Sequence, residues 1–166
     1  MTMINDEVIL LTAIRDCIKL RKALNANGLS DHDGALSSIE HLLELLSMRR
    51  KYSSADKNVL KASLMIERTI GVSDAIALGK EVRVENVHSR RDWTLMFVDK
   101  VNMGWNDNEL LKFIDDNYRI ILTTLLQSQA LAKLSSSFSG MDRFDHIGLK
   151  IDTQNVATIH TSSTIH

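Results

Sequence analysis

The chain has 166 residues, of which 44% are apolar, enough for a core within a single domain, so disorder is excluded as the default. Twenty basic residues against twenty-one acidic ones leave a net charge of −1, and no bulk field draws the protein to nucleic acid or an anionic membrane. Proline is absent, which permits long uninterrupted helices, and the lone cysteine, Cys17, rules out an intrachain disulfide or a multi-cysteine zinc site.

Asp6 and Glu7 stand where a secretory signal would carry positive charge, and no apolar run approaches membrane-spanning length, so a soluble cytoplasmic protein is expected. The first helix is predicted from about Asn5 to Asn25, with Ile14, Cys17, Ile18 and Leu24 inward, Cys17 acting as a small buried hydrophobe; Gly28 ends it. After a polar turn, Leu36, Ile39, Leu43 and Leu46 form the stripe of a second helix, widened by Leu42 and Leu45. Arg49, Arg50 and Lys51 close it, where cations offset the carbonyl end of the helix dipole.

Val59, Leu60, Met65, Ile66 and Ile70 predict a third helix closed by Gly71, and Ser73 with Asp74 caps a short fourth helix carrying Ile76, Leu78 and Val82. Two helices joined at Gly71-Val72-Ser73 have the layout of a helix-turn-helix, although Glu67 sits where the motif needs a small apolar residue. The period breaks from Arg83 to Ser89. Ser89 with Asp92 then reads as the capping box of a fifth helix with Trp93, Phe97 and Val101 on one side.

From Asn106 to about Phe138, Leu111, Ile114, Tyr118, Ile121, Leu122, Leu125 and Leu126 recur at helical spacing, which predicts one rod of about nine turns. Asn106 and Glu109 would cap it, and Trp105 would staple onto Leu110. After Gly140, Ile147, Leu149 and Ile151 alternate with polar residues, which predicts a strand turning at Thr153-Gln154-Asn155 into a second around Val156 to Thr161. The expected architecture is therefore mainly α: a bundle of five or six helices over residues 1–140, with a small C-terminal β-hairpin in 141–166, within one domain.

Two groups of residues carry candidate chemistry. Arg83-Val84-Glu85-Asn86-Val87-His88 resembles the active-site signature of HEPN-family ribonucleases, in which an arginine and a histidine stand four residues apart. That resemblance implies a helical bundle that pairs, with His88 shuttling a proton from a ribose hydroxyl and Arg83 stabilising charge on the phosphate. Family members usually carry a polar residue directly after the arginine, where this chain has Val84. The basic helix ends Arg49, Arg50, Lys51, Arg90 and Arg91 are the candidate nucleic-acid contacts, but Glu85 and Asp92 are interleaved near the latter pair.

Asp31-His32-Asp33, Asp142-Asp145-His146, His160 and His166 form no helix-borne metal set, so no metal or cofactor is expected. The strong apolar periodicity points instead to a non-enzymatic interaction module, a small regulator or assembly subunit, with a second copy or another protein as partner. Aliphatic residues spread beyond one stripe on the first two helices, and the hairpin offers an edge for strand addition.

Overall fold

The computed structural model describes residues 5–31 and 33–154 and is mainly helical. The chain divides into two compact units, one made of Met1–Ala55 and His88–Tyr118, the other of Asp56–Val87 and Arg119–His166. The expected boundary at residue 140 thus lies inside the second unit.

The first unit is helical among its described residues. It holds α1 (Asn5–Ala26), α2 (Gly34–Tyr52), α5 (Arg90–Asn102) and α6 (Asp107–Asn117). The local signals that start these helices act as expected. Ser89 accepts from the Asp92 amide at 3.1 Å. Asn106 accepts from the Glu109 amide at 2.9 Å while the Glu109 carboxylate accepts from the Asn106 amide at 2.8 Å, so two orphan donors are satisfied reciprocally. Leu11, Ile14 and Ile18 of α1, the stripe Leu36, Ile39, Leu43 and Leu46 of α2, and Leu110, Leu111 and Ile114 of α6 are buried. α2 is the inner helix, in contact with α1, α5 and α6. Cys17 is only half-buried. Trp105 meets Phe113 edge-on, with ring centroids 5.9 Å apart.

The second unit departs from an all-helical bundle. Its order is α3 (Lys57–Ala62), β1 (Glu67–Arg68), α4 (Val72–Ala77), β2 (Val82–Asn86), β3 (Ile120–Thr124), α7 (Leu125–Ala132) and α8 (Asp142–His146). The three strands form one sheet in the order β1-β3-β2, with β1 parallel and β2 antiparallel to the central strand. Val84 faces Leu122 across the antiparallel pair, and Glu67 lies beside Ile121 in the parallel one.

The predicted rod is therefore two helices with a strand between them. α6 stops at Tyr118, whose ψ of 131° is extended. Four of the next strand's five residues, Ile120, Ile121, Thr123 and Thr124, are β-branched and favour a pleated backbone. Ile120 to Thr123 are all fully buried. A strand covered on both faces reads as a continuous apolar run, and such a run also satisfies a helical template. The helix-turn-helix layout falls for a related reason. Residues 63–66 form turns, and Glu67 and Arg68 pair with the sheet, so no helix precedes Gly71.

The hairpin expected after Gly140 is likewise corrected. Residues Asp142–His146 are helical, and Gly148, with φ of 73°, bends the chain out of the extended line the alternation implied. Ile151 alone bridges, to Thr69, flanked by Ile70 N–H to the Lys150 carbonyl at 2.9 Å and Asp152 N–H to the Arg68 carbonyl at 2.7 Å. The second hairpin strand, Val156 to Thr161, lies outside the described residues. Val87, Ile121, Leu131 and Phe144 centre the unit's core, with Ile147, Leu149 and Ile151 packed against it.

Candidate functional site

The five basic residues singled out for nucleic acid all belong to the first unit, and each has a protein partner. Arg49 meets Asp6 at 2.8 Å. Arg50 holds both oxygens of Asp115, at 2.8 and 2.7 Å, and both oxygens of Glu7, at 2.9 and 3.1 Å. One guanidinium thus ties α1, α2 and α6 together. Hydrogen bonding to Asp115, with a smaller contribution from Glu7, holds Arg50 above its usual pKa despite burial, so it stays charged. Lys51 donates to the Tyr118 carbonyl. Arg90 pairs with Glu44, and Arg91 with Glu40 and, at 3.9 Å, Asp33.

Such pairing consumes the positive charge a phosphate track needs. Glu7, Glu40, Glu44 and Asp115 are the partners the sequence did not single out. Only Glu40 is fully buried.

Arg83 and His88 fall in different units. Arg83 lies on β2, exposed, and pairs with the equally exposed Glu81 at 2.9 Å. His88 precedes α5 and is half-buried, its ring stacked on Trp93 with centroids 6.4 Å apart and planes 16° apart. Trp93 is the hub of an aromatic group. It stacks on Phe113 at 5.3 Å, tilts against Tyr118 at 5.4 Å, and donates its indole N–H to Ser47 at 3.2 Å. Burial, reinforced by the Glu44 charge, pushes the Tyr118 hydroxyl far above the ordinary tyrosine range.

Asp31 caps the turn into α2, accepting from the Asp33 and Ala35 amides, whereas His32, His160 and His166 lie outside the described residues. His146 stacks on Phe138 at 4.0 Å. Among the described residues no three histidine, cysteine or carboxylate side chains converge on a metal-sized position, and no helix is long and apolar enough to cross a membrane.

Two surfaces of the second unit are features the sequence did not reveal. The first is apolar. Val59, Leu64, Met65, Ile70, Ile76, Leu78 and Leu126 are exposed, seven of the twelve exposed large hydrophobic residues, which places most of the open aliphatic surface on this unit. Ile70 and Leu126 are held near one another, because Gln127 donates to the Ile70 carbonyl at 3.0 Å and accepts from the Thr69 hydroxyl at 2.5 Å. In the first unit, α1 leaves Ile9 and Leu20 open, whereas α2 exposes no large hydrophobic side chain.

The second is a polar cavity of about 430 Å³ bordered by Ile70, Ser73, Asp74, Ile151, Asp152 and Thr153. It carries no nucleophile-base pair of the kind that acyl or phosphoryl transfer requires. Compared with protein-family models, curated proteins and solved structures, the chain matches none.

Proposed function

We propose that the protein is a non-enzymatic interaction module, a small regulator or assembly subunit, that works by protein–protein contact and associates first with copies of itself. The observation that carries this is the exposed aliphatic surface of the second unit, above all Leu64 and Met65, which are 70% and 77% exposed on adjacent turn residues, and Leu126 at 77%. Grouped open hydrocarbon on a soluble surface is the usual mark of a contact site. Self-association is favoured because a net charge of −1 gives copies almost no mutual repulsion to overcome. The internal pairing of Arg49, Arg50, Lys51, Arg90 and Arg91 supports a protein partner over nucleic acid.

The test is sedimentation velocity on the wild type beside Leu64→Asp, Met65→Asp and Leu126→Asp. Association should weaken at least tenfold in one or more variants while far-UV circular dichroism is unchanged. If all three folded variants associate as the wild type does, this surface is not the contact.

A further inference from the structure

We propose that the polar cavity of the second unit binds a small zwitterion of the amino-acid class, its carboxylate met by Arg68 with Ser73 and its ammonium group by Asp74 and Asp152. Arg68 is the anomaly that leads there. It is 8% exposed and is the only buried cation among the described residues. Glu40, the other buried charged residue, holds Arg91. For Arg68, by contrast, no carboxylate among the described residues lies within ion-pair distance.

A guanidinium has five N–H donors. Here one reaches the Ser73 hydroxyl at 3.4 Å and one the Ser63 carbonyl at 3.5 Å, both at the outer limit for a hydrogen bond. Burying a charge without a counter-charge is strongly unfavourable, so a site of this kind is primed to take up an anion.

The cavity is one hydrogen bond away. Ser73, which Arg68 reaches, borders it, and so does Asp152, whose amide donates to the Arg68 carbonyl at 2.7 Å. Its other charged groups are negative. Asp74 is exposed on α4, and Asp152 is half-buried with one carboxylate oxygen accepting from the Gln154 amide at 3.0 Å. A simple anion would be repelled by the two aspartates and a simple cation by Arg68. A molecule carrying both charges a few bonds apart meets both. Ile70 and Ile151 supply apolar wall for its side chain, and about 430 Å³ falls within the range of small-molecule sites.

The experiment is isothermal calorimetry on the full chain with each of the twenty common free amino acids, and with acetate and methylamine as half-ligands. At least one amino acid should bind saturably, with acetate and methylamine each at least tenfold weaker. Arg68→Gln should weaken that binding at least tenfold. Because a buried residue is changed there, the exposed Asp74→Asn and the half-buried Asp152→Asn provide a second arm, each expected to weaken binding severalfold with circular dichroism unchanged. Absence of saturable heat for every amino acid overturns the proposal. So does acetate or methylamine binding as tightly as the amino acid, or binding that survives Asp74→Asn and Asp152→Asn intact.

Discussion

Replacing Arg50 with methionine tests whether the basic end of α2 is a structural clamp or a ligand contact. The arginine and Glu7 side chains are each only 12% exposed, whereas Asp115 is 38% exposed. Removing one partner of a largely buried pair leaves the other charge stranded, at a cost of about 3–5 kcal/mol. The more exposed Asp115 contact contributes at most about 1 kcal/mol, because water and salt screen it. Arg50→Met should therefore destabilise by about 3–5 kcal/mol, with nearly all of the loss traced to Glu7. For a chain of this length that lowers the thermal midpoint by roughly 6–20 °C.

Adding Glu7→Gln to Arg50→Met should recover most of the loss, since the stranded charge disappears with its partner. Urea unfolding followed by far-UV circular dichroism reads both variants, with an unchanged m-value confirming that the folded state is the same. An Arg50→Met variant within about 1 kcal/mol of wild type, or a double variant worse than the single one, refutes the clamp. Were Arg50 instead a phosphate contact, the same change would spare stability and flatten the salt dependence of nucleic-acid binding.

Thr123 is fully buried on the central strand, and its hydroxyl has no hydrogen-bond partner; Thr123→Val should raise stability by about 1 kcal/mol or more, and a lower urea midpoint would contradict this. Tyr118 has a hydroxyl pKa raised by burial above its ordinary 10.0. Its stabilising contribution is therefore complete below pH 10 and is lost as pH rises above that value toward the folded-state pKa. Between pH 10 and 11 the wild type should lose about 1.4 kcal/mol more than Tyr118→Phe; parallel pH profiles would refute the buried phenol. Asn106→Ala removes a complete capping box from α6 and should cost about 1 kcal/mol in the same denaturant assay, whereas Asn108→Ala one turn position on should cost little.

The helices of the first unit were legible because their signals are local. Ser89 with Asp92 and Asn106 with Glu109 are three residues apart, and Leu36, Ile39, Leu43 and Leu46 are buried at the spacing that predicts it. The second unit was not legible because its signals are not local. β1 is two residues long, shorter than any periodicity, and its strand character exists only through Ile121 and Leu122, more than fifty positions away. Ile120 to Thr123 are buried on both faces, so the period-two alternation that identifies a strand is erased.

The same distinction governs the candidate sites. A run of arginines shows positive charge but not who neutralises it, and the partners of Arg50 lie 43 and 65 residues away. Arg68 was read as one more residue of a helix. Nothing near it in sequence shows that it would be buried beside Ser73 without a carboxylate.

The claim that shared aliphatic surface is this protein's working part is tested most directly by light-scattering mass over a concentration series. The account predicts a particle at a whole multiple of 18.7 kDa that falls toward a single chain on dilution, and in Leu64→Asp at all concentrations. A wild-type mass of one chain throughout the series would contradict it.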